Sequence, residues 1–239
     1  MIETPLSVRQ LAGLEEDHLI ELADGQRLCP QAAVAFAELQ RDAGEAGFEL
    51  AIASSYRSFA RQLAIFNAKA SGQRPVHDDA GRSVDMARLP PADQLQAILR
   101  FSALPGTSRH HWGTDLDVFD AAALADDARV QLTPDEVAPG GVFDALHCWL
   151  DGRMAAGQSH GFYRPYGEDR GGVAVERWHL SYAPLAVGCA SGMSAQVLRE
   201  RWQEALGGSE LLLQDEIEGS LAALLHRYVE VPEGWCPAP

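Results

Sequence analysis

Apolar residues recur at two different periods along this chain. Over residues 31–44, QAAVAFAELQRDAG spaces them at helical intervals among good helix formers, with Pro30 near the start, which predicts a helix. A second helix is predicted over 59–70, ended by Ser71-Gly72, and a third over 91–103 with Pro91 in its first turn. A fourth spans 142–156. Between them the period shortens. FELAIASSYRS (48–58) reads as a strand leading into a loop, and the alternation Asp115-Leu116-Asp117-Val118-Phe119 as a short strand. Residues 161–166 form a strand or turn, and VAVERWHLSY (173–182) a further strand. The polar, Pro- and Gly-containing stretches 73–90 and 121–141 read as loop excursions. Beyond Pro184, residues 194–206 and 213–229 carry two more helical patterns. Helices alternating with short strands predict an α+β fold, a small antiparallel sheet with flanking helices. The expected division is a domain over 1–184, with its core at about 30–184, and a helical C-terminal extension over 185–239.

Composition narrows the class of partner. With 19 basic and 34 acidic residues the net charge is −15, which disfavours phosphate backbones and anionic lipid heads, so neither nucleic acid nor membrane is an expected partner. No stretch approaches a membrane span, and the N-terminus lacks the basic, apolar, small-residue order of a secretory leader. A cytoplasmic location is the expectation. Cys29, Cys148, Cys189 and Cys236 are scattered with no C-x-x-C pair, which makes them poor zinc ligands.

Three separated segments concentrate reactive side chains: SSYRSFARQ (54–62), SRHHWGTDLD (108–117) and ERWH (176–179). Each lies at a strand end or a strand-to-loop junction, where side chains from distant parts of a sequence can converge. A catalytic zinc takes three nitrogen or oxygen ligands and leaves a position for water. One of His110 and His111, one of Asp115 and Asp117, and His179 supply such a set. The two aspartates lie on one face of their strand, so spacing does not choose between them. Glu176, three residues before His179, offers a carboxylate that can take a proton from water.

The ordered pattern S-x-H-x-x-G-x-x-x-D followed by E-x-W-H resembles the VanY-type D-alanyl-D-alanine carboxypeptidases, within the zinc peptidases that include lysostaphin-type enzymes and the hedgehog domain. It is carried here by Ser108, His110, Gly113 and Asp117, then Glu176, Trp178 and His179. Tyr56, Arg57, Ser58 and Gln62 match an upstream element, GFYRPY (161–166) resembles the segment ahead of the second motif, and the likeness covers about residues 30–184. It implies a Zn2+ site made by His110, Asp117 and His179, with Glu176 as general base. It further implies Arg57 at the developing oxyanion, and Gln62 and Ser108 hydrogen-bonding the substrate near its terminal carboxylate. Thr114 and Asp115 depart from the small or apolar residues frequent in the family, and Asp115 adds negative charge near the metal.

The activity implied is release of C-terminal D-alanine from peptidoglycan peptides or precursors. An L,D-carboxypeptidase trimming recycled tetrapeptides would use the same chemistry. Two other readings compete. A wall endopeptidase of phage-lysin type commonly carries a cationic or repetitive wall-binding module, unlike the acidic tail here. A non-catalytic binding module, as in the hedgehog domain, would not need Glu176 and Arg57 beside three ligands.

Overall fold

A computed structural model describes residues 6–125, 127–189 and 192–230. Cys236 and the ends of the two expected segments, 1–5 and 231–239, lie outside the described residues. In chain order the main elements are helix α1 (Val8–Leu11), strands β1 (Ile20–Glu21) and β2 (Arg27–Leu28), α2 (Pro30–Glu45), β3 (Leu50–Ser54), α3 (Phe59–Ala70) and α4 (Pro91–Leu99). They continue as β4 (Asp115–Asp120), α5 (Pro134–Val137), α6 (Asp144–Ala155), β5 (Phe162–Tyr163), β6 (His179–Tyr182), α7 (Ala183–Ala186), α8 (Ala195–Leu206) and α9 (Gln214–Tyr228).

The fold is α+β, as the alternating periods imply. Strands β3-β4-β6-β5 form one fully antiparallel sheet, and β1 pairs with β2 in a separate hairpin that the sequence pattern did not announce. Helix α3 follows the expected bounds because Ser58 caps its first turn, its side chain accepting from the backbone N–H of Arg61 at 3.3 Å.

Two apolar bodies hold the sheet and helices together. Behind the sheet, Phe36 and Leu39 of α2 and Leu146 and Leu150 of α6 pack against Leu116, Val118 and Leu180. On the other side Phe59, Phe66, Ile98 and Trp112 share a second core with Leu198, Trp202, Ile217 and Leu221 of the C-terminal helices. Full burial of each large side chain contributes about 1.5–3 kcal/mol. The helices beyond Pro184 are thus packed into the body of the protein, and they do structural work near the site. Trp202 Nε1 donates to the carbonyl of Pro105 at 2.8 Å, anchoring the segment just ahead of Ser108.

One predicted strand is shorter than its pattern. Only His179–Tyr182 pairs in the sheet, whereas residues 173–178 run as loop and turn. The backbone N–H of Glu176 is taken by the carbonyl of Tyr166 (3.0 Å) and that of His179 by the carbonyl of Glu176 (3.1 Å), which closes a turn before the ladder begins. The excursion over 73–90 also does more than cover the surface, since Val76 and Met86 are buried in the second core. Within 121–141, α5 is capped by Thr133 and Glu136. Val137 beside it packs with Phe143 and Trp178. Among the described residues no helix is long and apolar enough to cross a membrane.

Candidate metal centre and active site

Antiparallel register assembles the centre. Asp117 is the cross-strand partner of both Ser54 on β3 and His179 on β6, and Asp115 is the partner of Ser181. Directly paired residues share a face, so one rung brings Asp117 and His179 together and the adjacent same-face rung places Asp115 beside them. The 3-10 turn Arg109–Trp112 supplies His110. It ends at Gly113 in a left-handed conformation (φ +70°), where a Cβ would meet Leu19 at 2.2 Å, so glycine is required.

His110, Asp117 and His179 each offer a ligand atom within 4.8 Å of the others, and all three are buried. His110 Nε2 lies 3.3 Å from Asp117 Oδ2, and His179 Nδ1 lies 3.1 Å from Asp117 Oδ1. The opposite ring nitrogens are tied back. His110 Nδ1 donates to the carbonyl of Ser55 at 2.8 Å, and His179 Nε2 donates to Asp115 Oδ1 at 3.0 Å. Such ties fix the tautomer and aim the free nitrogen at a metal. Asp117 Oδ1 has no hydrogen-bond partner although it is buried, and an orphaned carboxylate oxygen between two imidazoles fits a cation. Two nitrogens and one oxygen suit zinc.

The two aspartates that spacing could not separate have different tasks. Asp115 is fully buried and saturated. It accepts from Arg109 Nε (2.7 Å), Thr114 Oγ1 (2.6 Å), Ser181 Oγ (3.0 Å) and His179. Its charge is therefore spent on Arg109 and on holding His179. That is the physical use of the departure at Thr114 and Asp115. Burial opposes ionisation of Asp115, but Arg109 and His179 outweigh it and hold the carboxyl at about 2. The histidines likewise hold Asp117 well below the usual carboxylate range against the effect of burial. Burial also disfavours charge on His179, yet Asp115 and Asp117 raise it to about 9 before any metal is bound. His111 points away from the cluster, its Nδ1 donating to the carbonyl of Arg57 at 2.5 Å and its Nε2 accepting from Gly106 N–H at 3.1 Å.

Glu176 Oε2 stands 3.7 Å from His179 Nδ1, and burial pushes its carboxyl up to about 7. Arg57 completes the group. Its backbone N–H donates to the carbonyl of His110 at 3.1 Å, which pins it to the ligand turn. Its guanidinium donates to Gln62 Oε1 at 2.8 Å and Ser54 Oγ at 3.3 Å. The substrate contact expected of Gln62 is not what the geometry offers. Gln62 is fully buried, and its other amide atom donates to the carbonyl of Ala103 (2.7 Å) and to Ser102 Oγ (3.3 Å). It sits behind Arg57 and orients it.

Ser108, Arg57, Glu176 and the three ligand residues line one cavity of about 350 Å³. Lys69, Arg74 and Tyr166 line it too, and the sequence reading passed over all three. Lys69 and Arg74 follow the SSYRSFARQ element, on the last turn of α3 and in the polar stretch after it. Spacing gave them no partner. Trp178 lines the cavity while packing on Val137 and Phe143.

Known proteins give the chain a family and a fold. The family model for VanY: D-alanyl-D-alanine carboxypeptidase matches residues 25–185. Two proteins of Haemophilus influenzae described as uncharacterized are similar in sequence. One is 44% identical over 103 residues, 41% of this chain and 70% of that protein; the other is 32% identical over 128 residues, 53% of this chain and 92% of that protein. Among solved structures, VanYB in complex with D-alanine-D-alanine aligns with a TM-score of 0.50 at 22% identity, covering 78% of this chain and 88% of that one. The LdcB LD-carboxypeptidase gives 0.50 at 21%, covering 87% and 80%. These two likenesses concern the fold.

Proposed function

Because the chain belongs to the VanY D-alanyl-D-alanine carboxypeptidase family, we propose that it is a zinc-dependent carboxypeptidase that releases C-terminal D-alanine from peptidoglycan peptides. The observation that carries the reading is the convergence of His110, Asp117 and His179, each held by its own protein contacts, beside a carboxylate that burial has poised near neutrality. Zinc held there supplies a Lewis acid for the scissile carbonyl and lowers the pKa of water to roughly 7.

The chain's own residues do the rest. Glu176 takes the proton of the attacking water and returns it to the leaving amine of D-alanine, a task suited to a carboxyl whose pKa lies near the working pH. Arg57, fixed by Gln62 and Ser54, directs a permanent positive charge at the oxygen where negative charge develops. Ser108 lines the cavity at the start of the ligand turn and hydrogen-bonds the bound peptide.

Incubation with tri-, tetra- and pentapeptides from peptidoglycan, followed by product analysis, tests the assignment. Shortening of the pentapeptide by one D-alanine is expected, abolished by a chelator and restored by zinc. Shortening of the tetrapeptide alone would replace it with the L,D reading. No shortening of either by zinc-loaded protein would end both.

A second expectation concerns Gln62. Leaving a buried donor of Arg57 without its acceptor costs about 1–3 kcal/mol. Gln62→Leu is therefore expected to lower kcat/KM by roughly 5–160-fold, with zinc content unchanged. Loss of zinc together with activity would show that Gln62 supports the ligand turn and not Arg57 alone.

A further inference from the structure

Under the carboxypeptidase reading, on which this inference rests, Glu176 must lie within hydrogen-bond reach of the attacking water to take its proton. Little holds its carboxylate directly. His179 Nδ1, at 3.7 Å, is beyond hydrogen-bond distance, and among the described residues no other group bonds or pairs with the side chain. Its aim is therefore set by the turn that carries it.

Both arms of that turn are tied to helix α6. Glu176, Trp178 and His179 line the cavity, whereas Arg177 between them runs to α6 behind it. Its guanidinium donates to Asp144 Oδ1 (2.9 Å), to Asp151 Oδ2 (2.8 Å) and to the carbonyl of Val137. On the other arm, Tyr166 supplies the carbonyl that accepts from Glu176 N–H at 3.0 Å. Two residues before it, Arg164 Nε donates to Asp151 Oδ1 at 2.9 Å. Each oxygen of Asp151 thus holds one arm. A guanidinium presents its donors in one rigid plane, so contacts on three acceptors fix direction as well as distance. Asp151 is exposed and Arg177 only half-buried, so these ion pairs add little to global stability. What they restrain is the placement of the turn.

We propose that Arg177, held from behind by Asp144 and Asp151, is the positioning residue of the general base. It acts through Glu176. His179 is paired in the ladder with Asp117, so releasing Arg177 lets the turn shift while the ligand residues keep their register. A displacement of about 1 Å at a reacting group costs up to roughly 10²-fold in rate. The base then drifts from its water with the metal still in place.

The test uses zinc-loaded protein carrying Arg177→Met, alone and together with Glu176→Gln, assayed on the peptide that the unaltered protein shortens. Alone, Arg177→Met is expected to lower kcat by roughly 10–100-fold with KM and zinc content unchanged. The thermal midpoint should fall by no more than roughly 2–4 °C. In the Glu176→Gln background the same change should add nothing, because a residue that acts only through Glu176 has nothing left to position. Hydrogen exchange reads the turn without turnover, and the amides over 176–179 should exchange faster in Arg177→Met. Arg177→Lys keeps the charge without the fork and should fall between on each readout; it takes over the test if Arg177→Met does not fold. An unchanged kcat, or a loss of equal size with and without Glu176, overturns the proposal while the carboxypeptidase reading stands. If the unaltered protein shortens no peptide but exchange over 176–179 rises in Arg177→Met, Arg177 holds the turn and the carboxypeptidase reading fails. Neither turnover nor a change in exchange ends both.

Discussion

Glu176→Gln is expected to lower peptide hydrolysis by roughly 10²–10⁴-fold, the range general acid–base catalysis supplies, while zinc stays bound. The substitution preserves volume and leaves the turn intact, because that turn is set by backbone hydrogen bonds from Glu176 N–H to Tyr166 and from His179 N–H to Glu176. The proposed metal set is untouched, since its ligand atoms would come from His110, Asp117 and His179. What is lost is the ability to accept a proton at a position where burial lifts a carboxyl to about 7 beside the cluster. The loss should therefore fall on kcat more than on KM. Zinc stoichiometry and single-turnover rates measured on the same preparation check it. Unchanged hydrolysis with zinc present would remove Glu176 from the mechanism proposed here.

Much of the site was legible because it is written in local pattern. Period two over residues 115–119 put Asp115 and Asp117 on one face, and the register confirms that they share it. Gly113 stood in the ligand segment, and its left-handed φ shows the backbone reason for it. The C-terminal limit of α3 followed from Ser71-Gly72, a local signal, and Ser58 caps its other end. What spacing left open, His110 against His111 and Asp115 against Asp117, depends on contacts made at long range. His111 is turned to the carbonyl of Arg57, 54 residues away, and Asp115 to Ser181, 66 residues away, as well as to nearby Arg109. The overextended strand at 173–178 has the same origin. Its Val-Ala-Val run suits a strand, but the carbonyl of Tyr166 takes the backbone N–H of Glu176. The buried place of Gln62 was not legible, because a buried amide and a substrate-facing amide look alike in sequence. Only the 2.8 Å bond to Arg57 separates them.

The clearest stability effect is expected at Asp115, the acid outside the proposed ligand set. Asp115→Asn should cost about 3–5 kcal/mol, as breaking a buried ion pair does, a large share of a total stability of about 5–15 kcal/mol. Arg109 is itself almost wholly buried, and its remaining contacts are neutral. They are the hydroxyls of Tyr163 (2.9 Å) and Ser181 (2.7 Å) and the face of Trp112, 4.5 Å from the guanidinium carbon. With Asp115 replaced by a neutral amide, the buried guanidinium loses its carboxylate partner, and His179 keeps only an uncharged, weaker acceptor to fix its ring. Zinc affinity should therefore fall as well, by about 10–100-fold, as it does when the partner of a metal-binding histidine is removed. Denaturant unfolding of the zinc-free protein isolates the first effect, and competition with a chelator of known affinity isolates the second. Adding Arg109→Met to Asp115→Asn should recover part of the stability by removing the stranded charge, yet leave zinc affinity low. If the double variant were no more stable than Asp115→Asn alone, the stability loss would have to come from Thr114, His179 and Ser181, and the ion pair would lose its place as the prop behind the metal centre.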